Sequence, residues 1–119
     1  MSEQLENEEI PIITVAELGV LLQQDREGLQ LLDVREPQEV EIAALDGFEN
    51  LPLSQFAAWS DQIDTRFDPE AATLVMCHHG IRSAQMCYWL RSVGFTNVKN
   101  IAGGIDAYSQ IVDPSVPRY

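Results

Sequence analysis

The sequence predicts an α/β fold in which helices cover a mostly parallel sheet. Three observations predict it: short apolar runs alternate with amphipathic stretches from residue 10 to residue 112, glycines close helical stretches at Gly28 and Gly94, and no repeat or low-complexity segment interrupts the alternation. Strands joined this way run parallel through right-handed crossovers, and ligands of such sheets sit beyond the carboxyl ends of the strands.

Residues 1–9 hold Glu3, Glu6, Glu8 and Glu9, no base and little apolar surface. Burial there is too small to offset the entropy of ordering, so a disordered acidic tail is expected ahead of one domain over 10–119. Residues 10–13 read as a first strand. Thr14, with Glu17 three residues on, reads as a capping box opening a helix that turns Val15, Leu18, Leu21 and Leu22 inward. Gly28 ends it, and residues 29–34 form a strand whose leucines are buried on both faces. Residues 36–43 make a short helix with Pro37 tolerated in its first turn, and Asp46 with Gly47 then turns the chain into a short strand around 49–51.

Ser54 is expected to cap a helix through Phe56 and Trp59, with residues 64–70 a polar connection to the strongest strand, 73–76. Residues 81–93 are helical, with Met86, Leu90 and Val93 on one face and Gly94 and Phe95 as the cap. A last strand covers 98–101. Gly103 and Gly104 turn it into a helix over 105–112 that Pro114 cannot continue.

At 119 residues and 45% hydrophobic, the chain fits one compact domain. No basic segment leads into an apolar core, and no apolar run nears the roughly 18 residues that span a bilayer, so a soluble, unprocessed, cytoplasmic protein is expected. Its two cysteines, Cys77 and Cys87, follow neither a disulfide framework nor a zinc spacing, which favours a reducing compartment. A net charge of −12 opposes phosphates and anionic membranes, so neither nucleic acid nor membrane is expected as a partner. The same field works against small anions such as thiosulfate, and gives a protein or small-molecule thiol partner equal weight.

The chemistry concentrates in Cys77, His78, His79, Gly80, Ile81, Arg82 and Ser83, between a strand end and a helix start. A loop winding into a helix aims several backbone N–H groups at one point, and the helix dipole adds to the field. A sulfur at that focus is favoured as thiolate; comparable settings bring cysteine to a pKa of roughly 3.5 to 7.5. Gly80 supplies positive φ, Arg82 a permanent cation and Ser83 a hydroxyl donor.

Cys77-x-x-Gly80-x-Arg82 resembles the active-site loop of the rhodanese family. Asp33-Val34-Arg35-Glu36-Pro37 is similar to that family's early Asp-Val-Arg-Glu segment, and Gly103-Gly104 to its late double glycine, so the likeness runs from about residue 11 to residue 112. The resemblance implies a parallel sheet of five strands flanked by helices on both faces, the catalytic cysteine after the fourth strand, and transfer of sulfane sulfur through a cysteine persulfide. On it, Cys77 is the nucleophile, and His78, His79, Gly80, Ile81, Arg82 and Ser83 bind substrate. The chain departs from the family pattern at Ile105, where many members carry an aromatic residue, and at Ala44, where many carry a histidine.

Related phosphatases and arsenate reductases generally place five residues between Cys and Arg, where this chain places four, a ring suited to one added sulfur. The histidines that follow Cys77 are only partly charged near neutrality, which weakens the case for thiosulfate. Adjacent histidines beside one cysteine lack metal-ligand spacing, so no metal is expected, and the chemistry needs no dissociable cofactor. Asp33 and Arg35 read as supporting residues that fix neighbouring loops. Cys87 reads as an inert core thiol, and Trp59, Trp89 and Tyr88 as core or surface cover. The expected activity moves sulfur from thiosulfate or a persulfide to a thiol acceptor or cyanide, a protein persulfide carrier being one candidate partner. A second reading, of a different class, is a binding or regulatory module that docks another protein with little turnover.

Overall fold

The computed structural model describes residues 9–119, and the acidic tail expected over 1–9 lies outside them except for Glu9. Strands β1 (Ile12–Ile13), β2 (Leu29–Asp33), β3 (Glu49–Asn50), β4 (Ala72–Met76) and β5 (Val98–Ile101) form one sheet in the order β1-β5-β4-β2-β3. Every pairing is parallel. The helices are α1 (Val15–Leu22), α2 (Pro37–Ile42), α3 (Phe56–Trp59), α4 (Ile63–Arg66), α5 (Ile81–Ser92) and α6 (Gly104–Ile111). Among the described residues no helix is long and apolar enough to cross a membrane.

The strand alternation separates two cores. Leu32, Val34, Val75 and Cys77 point to one face, where Trp59, Ile63, Met86, Cys87 and Leu90 of α3, α4 and α5 cover them. Leu31, Leu74, Met76 and Ile101 point to the other, beneath Val15 and Leu18 of α1 and Ile105 and Tyr108 of α6. Both faces of the central strands are therefore apolar, as a doubly covered parallel sheet requires.

The Thr14 capping box is present: the Glu17 amide donates to the Thr14 hydroxyl (3.1 Å), and the Thr14 amide donates to the Glu17 carboxylate (2.9 Å). Ser54 does not cap a helix. Its hydroxyl and amide both turn to the Glu36 carboxylate, and a 3-10 turn (Leu53–Gln55) precedes α3 instead. The segment expected as a polar connection overlaps α4, whose first residue, Ile63, is buried in the core. On α5 Met86 and Leu90 are buried as expected, but Val93 at its end is 41% exposed.

Candidate active site

Cys77 follows the last residue of β4, a strand with neighbours on both sides, so its Cα is fixed by the centre of the sheet. Gly80 then adopts φ 99°, a conformation that favours glycine, and α5 begins at Ile81. The first turn of α6 clamps the outside of the loop: the Ile105 amide donates to the Cys77 carbonyl (3.0 Å) and the Asp106 amide to the His78 carbonyl (3.1 Å). A Cβ on Gly104 would lie 2.4 Å from both of those carbonyl oxygens, which accounts for the second glycine of the pair.

The loop closes on the sulfur. Cys77 Sγ accepts from the Gly80 amide (3.1 Å), the Ser83 amide (3.4 Å) and the Ser83 hydroxyl (3.3 Å). Asn100 on β5 ties the arrangement together, since its Nδ2 donates to the Gly80 carbonyl (3.0 Å) and its Oδ1 lies 2.5 Å from the Ser83 hydroxyl. Arg35 is fully buried and every N–H of its guanidinium is matched. Nε (2.9 Å) and Nη2 (2.7 Å) grip Asp33, Nη2 also reaches the Ala43 carbonyl, and Nη1 reaches the Glu39 carbonyl and the Tyr119 hydroxyl. The Asp-Val-Arg segment thus secures α2 to the end of β2.

The family model described as Rhodanese-like domain matches residues 14–111. The chain belongs to the rhodanese-like domain family. It is 48% identical over 116 residues to the Rhodanese-like/PpiC domain-containing protein 12, chloroplastic, of Arabidopsis thaliana, covering 96% of this chain and 39% of that protein. It is 35% identical to the adenylyltransferase and sulfurtransferase MOCS3-2 of Zea mays, over 82% of this chain and 21% of that protein. The chain therefore spans well under half the length of either relative. Among solved structures it resembles the human single-domain sulfurtransferase TSTD1, with TM-score 0.69, 25% identity and coverage of 85% of this chain and 96% of that one. A rhodanese-like domain protein from Staphylococcus aureus, at TM-score 0.74 and 23% identity over 92% of this chain and 99% of that one, shares the fold.

In this rhodanese-like domain the electrostatics at Cys77 oppose its burial. Burial raises the thiol, yet the Ser83 hydroxyl and the amides of Ser83, Gly80 and His79 together outweigh it and leave Cys77 below the usual cysteine range. Arg82, read from the sequence as a permanent cation, turns its Nη1 (2.7 Å) and Nη2 (3.0 Å) as a fork onto the Glu39 carboxylate and acts on the thiolate through its charge. That fork holds Glu39 at about 2. Ile81, expected to contact substrate, begins α5 with its side chain 71% exposed.

His78 is held by stacking. Its ring lies 3.9 Å from that of His79 and 3.9 Å from that of Tyr119, the latter at 6° from parallel. Its Nε2 is buried without a hydrogen-bond partner among the described residues, and burial with the neighbouring His79 charge lowers its pKa. His79, His78 and Asp106 bring ligand atoms within 4.8 Å of one another. The two imidazoles are stacked at 30°, and Asp106 also accepts from Arg118 and Gln110.

Four residues at the site escaped the sequence reading: Glu39, Asn100, Asp106 and Tyr119. Tyr119 donates to Glu39 Oε2 (2.9 Å) while accepting from Arg35 Nη1 (3.0 Å), so one phenol joins the two arginine pairs. Only Glu39 carried a local signal, since it stands three residues after Glu36 and accepts from that amide as an N-terminal capping residue.

Proposed function

We propose that this domain is a sulfurtransferase that carries sulfane sulfur as a persulfide on Cys77. The convergence of three donors on Cys77 Sγ at 3.1–3.4 Å supports this reading. Such a cradle stabilises a sulfur anion whether it is the thiolate, the terminal sulfur of a persulfide, or the thiolate leaving again.

In the first half-reaction the Cys77 thiolate attacks the outer sulfur of a donor. A new S–S bond forms on Cys77, the donor's own bond to that sulfur breaks, and the donor leaves as a thiolate or, from thiosulfate, as sulfite. In the second, an acceptor thiolate or cyanide attacks the outer sulfur of the persulfide, and Cys77 departs as thiolate into the same cradle. The two half-reactions interchange sulfur without an external oxidant and predict ping-pong kinetics. The short loop and the commitment of Arg82 to Glu39 leave no wide ring of donors for a phosphoryl group.

The test is intact-mass measurement after incubation with a persulfide or thiosulfate, followed by cyanide. A gain of one sulfur that cyanide removes as thiocyanate, and that Cys77→Ser never acquires, is expected. No adduct from any sulfur donor overturns the proposal.

A further inference from the structure

Three guanidiniums stand around the Cys77 loop, and each is matched by a carboxylate. Arg35 meets Asp33 at 2.7 Å, Arg82 meets Glu39 at 2.7 Å, and Arg118 meets Asp106 at 3.0 Å, where His79 also lies 4.0 Å away. The loop amides and the Ser83 hydroxyl are directed at the sulfur itself. A dianionic donor such as thiosulfate places a second, sulfonate charge next to the sulfur being transferred, and that charge needs its own cation. Arg82 is the residue of the loop that could supply one, with its side chain 36% exposed, but both nitrogens facing Glu39 are engaged there. Tyr119 holds Glu39 in that position from the other side.

We propose that Glu39 is the specificity-determining residue of this site: by matching Arg82 it withholds the cation a dianionic donor requires and restricts the domain to donors whose sulfane sulfur sits on a carbon-bound thiol. The inference rests on the persulfide reading above and names the substrate class of the same site. A carbon-bound persulfide places a neutral sulfur where thiosulfate places the sulfonate, so it enters the cradle without a second anion to balance. Chemistry is unchanged between the two donor classes; only the leaving group differs, a thiolate in one and sulfite in the other.

The experiment measures the rate of sulfur loading on Cys77 by quenched intact mass, with cysteine persulfide and with thiosulfate, in the wild type, Glu39→Gln, Arg82→Gln and the double variant. Glutamine keeps the size of Glu39 and an acceptor for the Tyr119 phenol. Wild type is expected to load from cysteine persulfide and poorly from thiosulfate. Glu39→Gln raises thiosulfate loading on the order of tenfold, the Coulomb effect of one unmatched cation on a dianion about 6 Å away in a water-like dielectric, and changes persulfide loading far less. The gain disappears in the double variant and shrinks as salt is added.

Should Glu39→Gln fail to fold, the double variant decides: removing both members of the pair leaves the local charge unchanged, so its ratio of thiosulfate to persulfide loading should stay near that of wild type, and a tenfold fall in that ratio would overturn the inference. An adduct in wild type whose donor ratio does not move in Glu39→Gln overturns the inference alone. The absence of any adduct from either donor in wild type overturns the persulfide reading together with it.

Discussion

Replacing Ser83 with alanine removes one of the three donors to Cys77 Sγ while keeping the backbone amide of the same residue. A hydrogen bond to an ionised group contributes about 1.5–3 kcal/mol. Here the hydroxyl lies 3.3 Å from the sulfur and its single proton is shared with Asn100 Oδ1 at 2.5 Å, so the bottom of that range applies. The expected effect is a rise of about one unit in the Cys77 pKa, equivalent to about 1.4 kcal/mol. The sign follows from the hydroxyl favouring the charged form; without it, burial weighs more heavily and the thiol moves back toward the usual range. The pH dependence of iodoacetamide alkylation reads the midpoint directly. Ser83 is fully buried, and the variant also strands Asn100 Oδ1, so urea unfolding should show a loss of about 1–3 kcal/mol. Lost stability with an unmoved alkylation midpoint would show that the hydroxyl merely packs, and would refute the reasoning.

Arg35→Met leaves the Asp33 carboxylate buried without its partner and should cost about 3–5 kcal/mol in urea unfolding; a loss below about 1 kcal/mol would contradict the role assigned to the pair. Gly104→Ala drives a Cβ into the Cys77 and His78 carbonyls and should return the Cys77 alkylation midpoint to that of an ordinary cysteine, whereas Gly28→Ala, also at positive φ but in open space, should cost only local strain of about 1–2 kcal/mol. Tyr119→Ala unstacks His78 and should raise its midpoint in an NMR titration. Because the folded His78 pKa is depressed, the unfolded chain binds the proton first, and wild-type stability should fall as pH drops through about 6.5 and below. Tyr119→Ala should flatten that fall, and an unchanged slope would show that burial of His78 does not depend on the ring.

The alternation that revealed the fold was legible because each central strand is buried on both faces, so Leu31 and Leu32 of β2 and Leu74, Val75 and Met76 of β4 read as consecutive apolar residues. The position of Cys77 was equally legible, since strand, glycine and helix start are consecutive in the chain and the cradle is built from that local backbone. The partner of Arg82 was not. Glu39 lies 43 residues away, and Tyr119 lies 80 residues from Glu39, so only the sheet order brings them together. Ser54 misled because a serine before an apolar helix looks like a cap, while its real partner, Glu36, comes from the loop after β2. Tertiary partners of this kind leave no periodic trace.

The two cysteines of this chain separate burial from reactivity. Cys77 is 1% exposed and Cys87 is 0% exposed, and both lie in the same apolar cluster. Burial pushes Cys87 up to about 12 and outweighs the Arg91 charge that lowers it. Cys77 suffers the same penalty and still falls below the usual range, because it stands where β4 ends and a glycine turns the amides of the next helix back toward it. A thiol in the middle of α5 has no such donors, because the amides around it are committed to the helix's own carbonyls. Ten residues along one chain therefore divide an inert core thiol from a stabilised thiolate, and what divides them is the direction of a few backbone N–H groups. The persulfide reading depends on that direction, and on the glycines at 80 and 104 that allow the loop to take it.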